Sequence, residues 1–181
     1  SNGTDRITVV NWFFGSSYQL SSLRFADGSS LTNTQISLLP IPQFGSASNN
    51  SLYGSDSIDI INALAGNDNI SSAGGNDTID AGDGNDTIDG GTGTNSIIGG
   101  KGNDSINSAE GSIDTYLFNP GDGADILNIY ESSGTPNDIL QFGTSISPSN
   151  IRLERSAFNL IFKISNGTDR ITVVNWFFGS S

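Results

Sequence analysis

Between Gly66 and Glu110 an isoleucine recurs every ninth residue, at Ile70, Ile79, Ile88, Ile97 and Ile106, among Gly, Asn, Asp, Ser and Thr. The copies read GNDNISSAG from Gly66, GNDTIDAGD from Gly75, GNDTIDGGT from Gly84, GTNSIIGGK from Gly93 and GNDSINSAE from Gly102. Thr-Ile-Asp is a minimal strand whose Ile points one way and whose neighbours point the other. The residues between strands suit a tight turn, because glycine takes positive φ freely and Asn tolerates it. Two copies, eighteen residues, then return the chain to its starting side one rung up, with rungs stacked at about 4.8 Å. That coil predicts two inner columns, Ile70, Ile88 and Ile106 on one sheet and Ile79 and Ile97 on the other. A looser copy, GSDSID from Gly54, precedes the block, and GSIDTYLF from Gly111 and GDGADIL from Gly121 form a looser exit.

The flanks alternate differently. FNLIFKI and DRITVVNWF are strand-like, and the Asn166-Gly167 pair between them predicts a hairpin. The same second strand recurs at Asp5 to Phe14, since residues 1–17 and 165–181 are identical, 164 residues apart. YQLSSLRF alternates before an Asp27-Gly28 turn, and TNTQISLL predicts one or two helical turns capped by Thr32 or Asn33 and stopped by Pro40. NDILQF and NIRLER add strands; residues 43–53 read as a linker. Trp12, Phe13, Phe14, Tyr18, Leu20, Leu23 and Phe25 are expected in a core rather than on a carbohydrate platform.

Charge sharpens this picture. The net charge is −12, and all of it arises between residues 56 and 125, which hold thirteen acids and one base, Lys101. The chain has no His and no Cys. Triad, Cys-His and HExxH chemistry are therefore excluded within it, as are zinc sites and a disulfide scaffold. A basic nucleic-acid footprint is missing, and no apolar run is long enough to span a membrane.

Stacking the rungs brings acids together: Asp68, Asp86 and Asp104 on one edge, Asp77 and Asn95 on the other. Two carboxylates 5 Å apart at an effective dielectric of 20 repel by roughly 3 kcal/mol. A cation between them reverses the sign. Ca²⁺ suits the oxygen-only donor set, with turn carbonyls completing its shell, whereas Mg²⁺ wants a smaller octahedral cage and keeps its waters.

GNDTIDAGD and GNDTIDGGT closely match the pattern GGxGxDxUx, and the chain resembles the RTX, or haemolysin-type, calcium-binding nonapeptide-repeat proteins. DTYLFNPGDGADIL resembles the exit from an RTX roll, and GTDRITVVNWFFGSSYQLSSLRFADGS resembles the haemolysin-type calcium-binding-related segment. The expected fold is therefore all-β, a Ca²⁺-stabilised parallel β-roll (a β-solenoid) flanked by antiparallel β segments. The expected divisions are 1–50, the end of a preceding repeat module; 51–130, the roll; and 131–181, a β flank in which 165–181 repeats 1–17.

The expected metal ligands are Asp68, Asp86, Asp104, Asp77, Asn95, Asp56, Asp114 and Asp125, with Asp56 pairing with Asp77 and Asp125 with Asp104. Asn95 stands where the pattern has Asp, which makes its edge the weaker one; an extra residue in GSID shifts Asp114 from the regular spacing. Asp59, Asp80 and Asp89 read as solvated, and the Asn-x-Ser/Thr sequons at Asn76, Asn85 and Asn103 carry no functional weight. The resemblance implies a non-enzymatic module exported unfolded through a type I system, folding outside the cell on Ca²⁺. Neighbouring copies of the module are its expected partners, and a bacterial surface or the extracellular space its location. The alternative is the export and folding domain of an RTX toxin or secreted hydrolase.

Overall fold

The computed structural model describes residues 21–37, 39–130, 137–165 and 167–177. The chain divides into two compact units, Ser1–Leu39 and Pro40–Ser181. In the first, β1 (Ser22–Arg24) and β2 (Ser30–Thr32) pair antiparallel. Their turn is held by Asp27, whose carboxylate accepts from the N–H and hydroxyl of Ser29. One helical turn follows, α1 (Asn33–Ser37). Thr32 and Gln35 cap it reciprocally, each side chain accepting the other's backbone N–H. Phe25, expected in a core, is half exposed. Trp12, Phe13, Phe14, Tyr18 and Leu20 lie outside the described residues.

The second unit is the roll. Its strands alternate between two sheets: β3 (Ile41–Ser46), β5 (Asp59–Leu64), β7 (Thr78–Asp80), β9 (Ser96–Ile98), β11 (Thr115–Phe118) and β13 (Ile139–Phe142) in one. β4 (Ser51–Tyr53), β6 (Asn69–Ser71), β8 (Thr87–Asp89), β10 (Ser105–Asn107) and β12 (Ala124–Asn128) stack in the other. All these pairings are parallel, and the register advances by one coil per rung, Ile70 opposite Ile88 opposite Ile106 and Ile79 opposite Ile97. The predicted columns are thus present, and they run further than the repeats. Leu52 and Leu127 extend the first, and Ile61, Tyr116 and Leu140 the second.

The stretch 43–53, expected as a linker, forms β3 and β4, the first coil of the roll. Its signal was missed because Phe44 and Tyr53 face outward, leaving little apolar pattern to detect. The roll therefore starts before residue 51. It also continues past 130, through β13 and through β16 (Arg170–Val173), which joins β12 in parallel. There the stack changes character. β15 (Asn159–Ile164) pairs antiparallel with β16, and β14 (Ile151–Ser156) antiparallel with β15. The β15–β16 hairpin turns at Gly167, φ +90°, beside Asn166, which is outside the described residues.

A rung with one isoleucine per strand makes a narrow core, and only glycine lets its turns close. A Cβ on Gly102, φ +142°, would lie 1.7 Å from the Gly84 carbonyl oxygen. At the C-terminal end the core thickens around Phe118, Phe142 and Phe162, with ring centroids 6.3 and 6.0 Å apart. Ile88 is wholly buried between Ile70 and Ile106. Ile88→Ala should cost about 2–5 kcal/mol in urea unfolding with Ca²⁺ present, and a cost under about 1 kcal/mol would contradict an ordered core at that rung.

Candidate metal-binding edges

Each turn between the sheets ends on an Asx residue at its junction with a strand, in most turns just before the strand, with Asp59 the first residue of β5 and Asp125 the second of β12. On the first edge these are Asn50, Asp68, Asp86, Asp104 and Asp125; on the second, Asp59, Asp77, Asn95, Asp114 and Asp138. Neighbours in each column are joined by one repeated bond. The N–H of Asp68 donates to Asp86 Oδ1 at 2.7 Å, that of Asp86 to Asp104 Oδ1 at 2.9 Å, and that of Asp104 to Asp125 Oδ1 at 2.9 Å. On the second edge Asp59, Asp77, Asn95 and Asp114 donate in the same way to Asp77, Asn95, Asp114 and Asp138.

This settles the register of the irregular copies. Asp125 stands over Asp104 as expected, and Asp114 is in register despite its extra residue, which the loop before it absorbs. Asp56 is not in the column: it is exposed, and Asp59, read as solvated, takes the place beside Asp77 at 4 % exposure. The three extra residues between Gly54 and the regular block conceal that alignment. Asp80 and Asp89 end β7 and β8 outside the columns, half-buried and exposed respectively. Asp138 went unrecognised because no repeat surrounds it.

The second carboxylate oxygens of the columns are not all treated alike. Oδ2 of Asp68, Asp86 and Asp104, and of Asp77 on the other edge, is buried and meets no hydrogen-bond donor. An ionised oxygen in that position is costly unless a cation or proton joins it. Small residues open the space in front of it: a Cβ on Gly99 would lie 2.5 Å from Asp104 Oδ2. Hence these four residues fit a divalent ion held by carboxylates one rung apart and by turn carbonyls. Among the described residues no three acids converge as a group on one ion, so any such site draws on the backbone as well. Elsewhere on the second edge, Oδ2 of Asp114 accepts from the hydroxyls of Ser112, Tyr116 and Ser108 at 2.9, 3.2 and 3.3 Å. Burial pushes the Tyr116 phenol upward, so it stays protonated and donates. The single base of the block, Lys101, is engaged at the surface with Asp83, 2.9 Å away.

A second ladder accompanies the carboxylates. Asn49, Asn67 and Asn85 each accept, through Oδ1, the backbone N–H of the residue eighteen positions on, and Asn103 accepts that of Ala124. The recurring Asn-Asp pair was its signal. The Asn side chain reaches toward the following rung's backbone and the Asp side chain toward the preceding one.

Burial raises the carboxyls of Asp77 and Asp86, and lifts Asp104 to about 7 and Asp125 to about 8. With an unfolded value near 3.9, the folded form holds more protons than the unfolded form from roughly pH 4 up to those values. Stability without metal therefore falls as pH rises through that window. In chelator, the strand signal in circular dichroism should be larger at pH 5.5 than at pH 8.5; an equal or larger signal at pH 8.5 would contradict the burial of ionisable oxygens in the turns.

Two family models match parts of this chain. Residues 44–79 and 80–112 match the RTX calcium-binding nonapeptide repeat (4 copies), and residues 1–35 and 159–181 match the haemolysin-type calcium binding protein related domain. Among solved structures the chain is similar to the solution structure of the AlgE6R3 subunit of the Azotobacter vinelandii mannuronan C5-epimerase. That likeness has 19 % identity, 71 % of this chain and 72 % of that one covered, and a TM-score of 0.26. No curated protein sequence matches. Residues 44–112, with an isoleucine every ninth position and an acid at the end of most turns, thus carry RTX calcium-binding nonapeptide repeats, and residues 1–35 and 159–181 are similar to the haemolysin-type calcium binding protein related domain.

Proposed function

We propose that the roll is a non-enzymatic, Ca²⁺-dependent structural module of a large secreted bacterial protein, one of several in an adhesin shaft, surface layer or matrix filament. The observation that carries the Ca²⁺ dependence is the stack of buried Oδ2 atoms of Asp68, Asp86 and Asp104, with Asp77 across the roll, none of which meets a donor. Ca²⁺, when bound, supplies the positive charge that lets these carboxylates stay ionised in the turns. Asp125 closes the first column. Asp86, with Asp68 on one side and Asp104 on the other, serves two ion positions. The identity of residues 1–17 with 165–181 favours a tandem array, with neighbouring copies as partners, over the single export domain of a toxin or hydrolase.

A chain whose turns need cations stays unfolded where Ca²⁺ is scarce and folds where it is plentiful, which suits export before folding and an extracellular destination. Among the described residues no helix is long and apolar enough to cross a membrane. Extracellular-type sites bind at about 10⁻⁴–10⁻³ M. At ten times Kd each site adds RT ln 11, about 1.4 kcal/mol, so four add about 6 kcal/mol, comparable to the stability of a small domain.

Titration of the chelator-treated protein, followed by circular dichroism, should therefore show strand structure appearing at millimolar Ca²⁺ and little at equal Mg²⁺. Equal folding in both ions would mean that charge screening alone acts, and no change with either would remove the proposed dependence.

A further inference from the structure

Asn95 breaks the pattern of its neighbours, and its surroundings are changed to match. Its Oδ1 accepts the N–H of Asp77 at 2.9 Å, as the carboxylates of the column do. That bond fixes which amide atom is which, because the backbone N–H needs an acceptor. The other atom, Nδ2, then occupies the place where Asp86 and Asp104 carry an orphan oxygen, and it donates to the carbonyl of Gly90 at 2.9 Å. The same carbonyl receives the hydroxyl of Ser72 at 2.7 Å. Ser72 and Asn95 are both buried, at 0 % and 2 % exposure. A carbonyl oxygen has two lone pairs, and both are used here. In the turns leading to Asp68 and Asp86 the residue matching Ser72 is Ala63 or Ala81, which has no hydroxyl to give.

We infer that the turn from Gly90 to Asn95 takes no cation, and that the Asn95 amide together with the Ser72 hydroxyl does there what an ion does in the turns ending at Asp68, Asp86 and Asp104. The inference rests on the calcium reading of the roll and assigns one of its turns the opposite chemistry. An amide N–H bonded to a carbonyl is neutral and indifferent to Ca²⁺. Above it, Asp114 is satisfied by three hydroxyls, so the second edge from Gly90 onward is held by hydrogen bonds. The two edges of one coil thus answer differently to the same ion: the first gains its charge balance from solution, and this part of the second is built complete.

The test counts Ca²⁺ bound per folded chain at saturation, by equilibrium dialysis and atomic emission, on the full chain and three variants. Asn95→Ala removes the amide and should leave the count unchanged. Asn95→Asp puts an ionised oxygen against the Gly90 carbonyl and should raise the count by one, and Ser72→Ala added to it should tighten that extra site by freeing the carbonyl. Thr94→Asp, an added charge on the exposed side of the same turn, controls for simple electrostatics and should leave the count unchanged. Loss of one ion in Asn95→Ala, or no gain in Asn95→Asp, overturns the inference while leaving the calcium reading standing. A parent chain that binds no Ca²⁺ at all overturns the calcium reading itself, and the inference with it.

Discussion

One hydrogen bond organises this protein: at the junctions of turn and strand along both edges of the roll, a backbone N–H donates to a carboxylate or amide oxygen one coil further on. A parallel coil with three-residue strands makes few ladder bonds per rung, and its core is one side chain wide. The turn must therefore hold as much as the strand does. Using an aspartate for that bond commits the molecule to a buried carboxylate at every rung. One oxygen of each is satisfied by the backbone; the other has to find a partner. Most of what distinguishes this chain follows from how that second oxygen is treated.

Three treatments occur. On the first edge Asp68, Asp86 and Asp104 keep a free oxygen inside a turn opened by small residues, a demand for positive charge repeated rung after rung. At Asp114 three hydroxyls close around the oxygen. At Asn95 the oxygen is replaced by nitrogen and the demand disappears. The companion asparagines reach the opposite way, so each Asn-Asp pair fastens its turn to the rung on either side. The turns with an unpaired buried carboxylate oxygen cluster in the regular repeats, where the core is narrowest. The turn at Asn95 lies among them, between Asp86 and Asp104, and the hydroxyl-closed Asp114 comes next to the C-terminal end, where Phe118, Phe142 and Phe162 thicken the core.

The regular part of this arrangement was legible in the sequence, because a period of nine fixes which isoleucines stack and which acids meet. Asp68, Asp86, Asp104 and Asp77 needed only that count. Legibility failed where the period did. Three extra residues after Gly54 made Asp56 look like the partner of Asp77, although Asp59 holds that place. The coil formed by β3 and β4 has no glycine-aspartate signature, and its aromatic residues face outward, so it read as a linker. Asp138 sits in the column through a loop of irregular length, and nothing in local sequence marks it. The hydroxyl cage around Asp114 was equally hidden, since Ser108, Ser112 and Tyr116 come from both sides of an irregular turn. Asn95 was visible as a departure, but its meaning depended on the Gly90 carbonyl and Ser72, which only the folded turn brings together.

The central claim is that the orphan carboxylate oxygens are cation ligands and that the edges differ in using them. Anomalous scattering from a crystal grown in millimolar Ca²⁺ tests this most directly. The account predicts peaks within about 2.3–2.6 Å of Oδ2 of Asp68, Asp86, Asp104 and Asp77, and none in the turn from Gly90 to Asn95. Turns without ions, or equal peaks in every turn of both edges, would contradict it.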